Sequence, residues 1–136
     1  MGRAPLKLLL DTHIWLWSHL EPERLGRRVR AALRAPGNEL WLSPISLWEV
    51  VLLIERGRVA VQGDPEQWVE TAWSRAPIRE APFNRQVALR SRTVGVPHQD
   101  PADRFLAATA AVFDLTLVTA DAHLLAGTGY RTLANR

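Results

Sequence analysis

The sequence of 136 residues predicts an α/β fold: a short parallel sheet of about five strands with helices on both faces. Three observations lead there. Short apolar runs alternate with segments of helical character along the whole chain, the signature of repeated strand–helix units. Two of those runs, 6–10 and 115–118, are followed at once or soon after by an aspartate, Asp11 and Asp121. Hydrophobic residues make up 47% and charged residues 23%, an ordinary balance for a chain long enough to bury one core. Residues 1–136 therefore read as a single domain, without internal repeat or linker.

The elements follow in order. Residues 6–10 form a buried strand: short, apolar and ended by a polar residue. Residues 12–20 form a short helix. Pro22 starts a second helix, to about residue 33, with Leu25, Val29 and Leu33 on one face. Ala35-Pro36-Gly37-Asn38 is a turn, and residues 40–42 a brief strand. Ser43-Pro44 is a strong helix start, with Ser as N-cap and Pro at the first helical position. That helix runs to about Arg56, and Gly57 stops it. Asp64 and Gln67 form a capping box for a helix to about Trp73. Residues 77–80 make a short strand, and Asn84 caps a helix to about Thr93. Asp100-Pro101-Ala102-Asp103 opens a long helix ending near Phe113. Residues 115–118, 121–125 and 130–133 are a strand, a short helix and a last strand.

Composition excludes several classes. There is no cysteine, hence no disulfide and no thiolate zinc site. No apolar run approaches the roughly 18 residues that span a bilayer. The short apolar stretch after Arg3 and Lys7 runs straight into Asp11, as a first strand does and a signal peptide does not. A cytoplasmic protein is expected. The net charge is +3, and Lys7 is the only lysine. An excess of arginine suits an anionic partner such as nucleic acid. A G- and C-rich genome gives the same bias.

Asp11, Glu49, Asp100, Asp103 and Asp121 carry the chemistry. Ligands of parallel sheets bind beyond the carboxyl ends of the strands. Asp11 and Asp121 follow strands, and Glu49 and Asp103 sit near the starts of helices, so four distant segments converge on that edge. Crowded carboxylates repel one another unless cations fill the space between them, which points to a divalent metal site. Each acid also has a plainer reading. Asp11, Asp100 and Asp121 are in place to cap helices, and Asp103 suits a helix dipole. Glu49 is harder to dismiss. Its helix is apolar nearly all round and so expected to be buried, and no partner for the glutamate is evident.

These residues carry a resemblance. Leu8-Leu9-Leu10-Asp11-Thr12-His13-Ile14-Trp15-Leu16-Trp17 resembles the opening of a PIN-domain ribonuclease, in particular the VapC-type toxins of bacterial toxin–antitoxin pairs. Ser43 to Glu49 resembles the second motif, with its acid at Glu49. His98-Gln99-Asp100-Pro101-Ala102-Asp103-Arg104 and the Phe-Leu-Ala-Ala-Thr-Ala run after it resemble the third, with its acid at Asp103. Leu117-Val118-Thr119-Ala120-Asp121 resembles the fourth. The motifs occur in family order, and no acidic position departs from the pattern.

The resemblance implies a metal-dependent endoribonuclease that uses one or two Mg2+ or Mn2+ ions and leaves a 5′-phosphate and a 3′-hydroxyl. Oxygen ligands suit such hard ions. Asp11, Glu49 and Asp103 are the candidate ligands, with Asp121 serving a second ion or acting through water. Thr12 and Thr119 either orient an acid or make ordinary turn bonds. Asp100 reads as the cap that holds Asp103 in place. Arg104 either pairs with an acid or touches the scissile phosphate; His98 faces a phosphate, Asp103 or neither. Trp15, Trp17 and Trp48 are placed to stack bases, or serve core and interface. The resemblance further implies RNA as substrate, a VapB-type antitoxin near the helices starting at Thr12 and Ser43, and a homodimer. Rival readings are a PIN nuclease of RNA processing without an antitoxin, a silent PIN binding module that would have lost acids, and an aspartyl phosphatase. The last expects Asp at position 13, which is His13.

Overall fold

A computed structural model describes residues 5–136. Its sheet has five parallel strands: β1 (Lys7–Leu10), β2 (Glu39–Leu42), β3 (Arg79–Glu80), β4 (Thr116–Thr119) and β5 (Arg131–Ala134). They lie in the order β3-β2-β1-β4-β5. The chain first builds outward from β1 to β3, then returns to the other side of β1 to lay down β4 and β5. The switch falls between β1 and β4, where Leu10 pairs with Val118. Such a switch opens a crevice at the carboxyl ends of the strands.

Alternation along β1 explains the two cores. Leu8 and Leu10 face one side, with Ile14, Trp15, Val29, Leu42, Val50 and Val118. Leu9 faces the other, with Leu106, Ala107, Leu115, Leu117 and Leu124. Leu8, Leu9 and Leu10 are all buried, and each contributes about 2 kcal/mol by leaving water. Helices α1 (Thr12–Leu20), α2 (Arg27–Arg34), α3 (Pro44–Glu55) and α4 (Pro65–Ser74) cover the first face. Helices α6 (Pro101–Phe113) and α7 (Ala122–Ala126) pack on the second. The short α5 (Arg85–Arg90) lies against α6.

The expected starts and stops hold where capping chemistry sets them. Ser43, Asp64, Asn84, Asp100 and Asp121 each accept from backbone N–H groups of the helix that follows. Gly57, at φ +72°, takes the left-handed conformation just past α3. At Asp64 the aspartate accepts from the Gln67 N–H at 3.0 Å, which is the forward half of the capping box.

Two expectations are corrected. The helix predicted over residues 22–33 is two pieces, a 3-10 turn at Pro22–Arg24 and then α2. Leu25 and Gly26 between them are extended. Gly26 lies so close to the end of the chain that a Cβ there would fall 1.8 Å from the Arg136 carbonyl carbon. Its N–H donates to Asn135 Oδ1 at 2.7 Å, and the Arg28 N–H donates to the Arg136 carbonyl at 2.8 Å. The Asn135–Arg136 segment thus packs directly against the break. Nor is α3 buried all round. Only Ser46 and Val50 on it are buried, and Trp48 is 58% exposed. Among the described residues no helix is long and apolar enough to cross a membrane.

Candidate active site

Asp11 is the first residue beyond β1, and its N–H donates to the Val118 carbonyl at 3.0 Å, extending the ladder by one step. It stands at the N-cap position of α1, yet its side chain caps nothing. Instead Oδ2 accepts from the Thr119 hydroxyl at 2.6 Å. Thr119 in turn accepts from the Asp121 N–H at 3.0 Å, so one hydroxyl ties together the ends of both central strands. Asp11 is only 8% exposed. Burial raises its pKa, opposed by the Thr119 bond.

Glu49 lies 2.6 Å from the Thr12 hydroxyl, and Ser46 Oγ lies 2.9 Å from the same oxygen. A hydroxyl has one proton. With that proton given to the Glu49 carboxylate, Ser46 must be the donor to Thr12. The partner that the sequence did not reveal for Glu49 is thus a relay, Ser46 to Thr12 to Glu49. No motif in the sequence singles out Ser46, although its place three residues before Glu49 sets both on one helix face. Burial also raises the Glu49 pKa, with the charges of Asp11 and Asp100 adding to it.

Asp103 sits in the first turn of α6, which Asp100 caps by accepting from the N–H groups of Ala102 at 2.9 Å and Asp103 at 3.4 Å. Its pKa is pushed up to about 7, first by burial and then by the charges of Asp100, Asp11, Asp121 and Glu49. Asp121 caps α7 with Oδ1, accepting from His123 and Leu124. Its other oxygen is not used in that cap.

Asp11, Glu49, Asp103 and Asp121 line one cleft of about 390 Å³ with His13, Trp17, Arg24 and Ala120. A larger hollow of about 710 Å³ lies beside the 60–64 loop and α4. The one carboxylate lining it, Asp64, is occupied in capping that helix, so the acid cleft is where chemistry is concentrated. Four converging carboxylates offer oxygen donors and excess negative charge, the donor set of a hard divalent cation. At the rim, His98, Asp121 and His123 bring ligand atoms within 4.8 Å of one another.

Arg104 reaches neither an acid nor the cleft, which corrects both expectations for it. It is 7% exposed. Nε donates to the Ser91 carbonyl, Nη2 to Val94, and Nη1 to Val96 and His98, all at 2.8–3.1 Å. This clamp fixes the segment before α6. The tryptophans divide. Trp15 is core, and Trp48 is exposed. Trp17 lines the cleft with the Arg24 guanidinium 4.4 Å above its ring. Nothing in the sequence set Arg24 apart from the other arginines.

Residues 8–127 match the PIN domain family. The chain belongs to that family. This PIN domain is 31% identical over 120 residues to Ribonuclease VapC22 of Mycobacterium tuberculosis, a match covering 86% of this chain and 88% of that protein. Its fold is similar to that of VapBC2 from Rickettsia felis bound to a promoter DNA fragment, with TM-score 0.70 and 16% identity over 95% of this chain and 98% of the other. A toxin–antitoxin complex from Klebsiella pneumoniae gives TM-score 0.58 and 25% identity, over 91% of this chain and 98% of that one. The five-stranded parallel sheet is consistent with the α/β fold of that family.

Proposed function

We propose that this PIN domain is a Mg2+- or Mn2+-dependent endoribonuclease and the toxin of a toxin–antitoxin pair. The observation that carries the reading is the gathering of Asp11, Glu49, Asp103 and Asp121 in one cleft at the sheet's switch point. RNA as substrate is supported by the likeness to a named ribonuclease and by the arginine-rich, net positive chain.

Asp11, Glu49 and Asp103 would hold the ion, and Asp121 would serve a second ion or bind through water. Such an ion lowers the pKa of water and neutralises charge developing at phosphorus. The chain's own residues preset the cleft. Thr119 fixes Asp11 and Thr12 fixes Glu49, so both carboxylates are oriented before anything binds. Arg24, stacked on Trp17, presents guanidinium N–H groups to an RNA phosphate at the cleft edge. Trp17 and the nearby His13 offer flat faces to an unpaired base.

An antitoxin fits the groove of about 580 Å³ between α1 and the end of α3. Leu16, Trp17, Leu20, Leu53 and Val59 line it, and it shares His13, Trp17 and Arg24 with the acid cleft. A segment lying there would reach the acids, and an arginine on it would compete with metal and substrate. The exposed Trp48 and the half-buried Leu52 beside it suit a further protein contact, and a homodimer is the reading we adopt. The silent-module rival loses ground because all four acids are present and converge.

The test is cleavage of total RNA with and without EDTA, with mapping of the cut ends. Loss of cleavage in EDTA, recovery with Mg2+ or Mn2+, and 5′-phosphate ends are expected. Cleavage that persists in EDTA, or ends carrying 2′,3′-cyclic phosphate, would overturn the reading.

A further inference from the structure

The segment from His98 to Arg104 holds a histidine whose role the four acids do not absorb. The Asp100 N–H donates to His98 Nδ1 at 3.2 Å. Nδ1 therefore presents its lone pair, and the ring proton resides on Nε2. Nε2 is shielded from solvent and has no aligned hydrogen-bond partner. It lies 3.0 Å from Asp103 Oδ2, with the N–H direction off that oxygen. The backbone beneath the ring is pinned, since Arg104 Nη1 donates to the His98 carbonyl at 3.1 Å. The His123 ring packs against it, centroids 4.4 Å apart. A buried donor held on two sides, with one carboxylate at bonding distance, is built to serve that carboxylate.

We propose that His98 is a positioning residue whose Nε2–H sets the orientation of the Asp103 carboxylate in the acid cleft. This rests on the reading that Asp103 is a metal ligand. The hydrogen bond is near closure in the free protein and closes when Asp103 turns to a bound cation, as hydrogen-bonded partners of metal ligands do. The same tautomer removes His98 from the ligand set. Its atoms lie near those of Asp121 and His123, but Nε2 bears a proton and Nδ1 is engaged with Asp100.

The chain supplies a discriminating pair of variants. His98→Gln places an amide N–H near the position of Nε2, and His98→Asn places one near Nδ1. Mn2+ is titrated by calorimetry into the full chain as wild type, His98→Gln, His98→Asn, Asp103→Asn and the double variant His98→Asn/Asp103→Asn. Asn at 98 is expected to weaken Mn2+ binding about tenfold or more, and Gln to stay near wild type. In the Asp103→Asn background the His98 change should add nothing. In RNA cleavage His98→Asn should lower kcat and leave KM in place. Wild-type affinity in His98→Asn, an equal loss in His98→Asn and His98→Gln, or a loss in the double variant beyond that of Asp103→Asn would each overturn the proposal. So would a loss of Zn2+ binding in His98→Gln with Mn2+ binding intact, because that marks a nitrogen ligand. A wild-type chain that binds no Mn2+ at all would instead remove the metal reading, and the proposal with it.

Discussion

Asp11 and Glu49 differ from Asp103 and Asp121 in how they are held. The first two each accept a 2.6 Å bond from a threonine hydroxyl, Thr119 and Thr12, that is itself buried at the sheet edge. The second two stand on helix starts. Asp121 uses one oxygen to cap α7, and the Asp103 carboxylate has the imperfectly aligned His98 as its one nearby donor among the described residues. The charge problem collects on the looser side. The Thr119 bond partly offsets the burial of Asp11, whereas all four acidic neighbours add to the burial of Asp103. One half of the cleft is preset, and the other accumulates the repulsion that a cation would relieve.

The largest effects break both halves alike. Asp11→Asn and Asp103→Asn should each lower RNA cleavage by a thousandfold or more, about 4 kcal/mol in the barrier. Their stabilities should differ. Asp103→Asn removes a buried charge and its repulsion with four acidic neighbours and should raise Tm in metal-free buffer. Asp11→Asn should gain less, since it exchanges a charge-assisted Thr119 bond for a neutral one. An equal gain in both, by calorimetric melting, would erase the distinction.

Smaller losses should mark the preset half. Thr119→Val and Thr12→Val are each expected to reduce cleavage about tenfold to a hundredfold and to cost about 1 kcal/mol of stability. Cleavage unchanged in both variants would mean that the hydroxyls do not orient the acids.

The pH response sharpens the other half. Asp103 titrates at about 7 in the folded chain, against the ordinary value of 3.8. Between those values the folded protein holds the proton more tightly than the unfolded one. Stability without metal should therefore fall as pH rises from about 4 to about 7, and Mg2+ added above that range should restore it. A Tm that climbs over the same range without metal would contradict the assignment.

The smallest effect concerns substrate. Arg24→Ala should flatten the salt dependence of RNA binding by about 0.7 in the log–log slope, one phosphate contact for a single strand. An unchanged slope would remove Arg24 from the RNA path.

The sequence made the acids visible because runs such as Leu8-Leu9-Leu10 and caps such as Ser43-Pro44 act locally. It misled at Arg104, where adjacency to Asp103 suggested a shared site. Successive helix residues point about 100° apart, so the neighbour of a cleft-facing acid turns toward residues 91–98. The break at Leu25-Gly26 was hidden because the Arg136 backbone that packs against it lies more than a hundred positions away. The openness of α3 was hidden for a related reason. Apolar composition tells that a face avoids water, not whether this chain or another one covers it.

The Arg104 clamp has a consequence for how the protein can change. Its guanidinium grips four main-chain carbonyls and no side chain. The exposed Arg92, Thr93 and Pro97 can therefore be exchanged during evolution without loosening that grip, whereas Ser91, Val94 and Val96 are held by burial and His98 by its place beside Asp103.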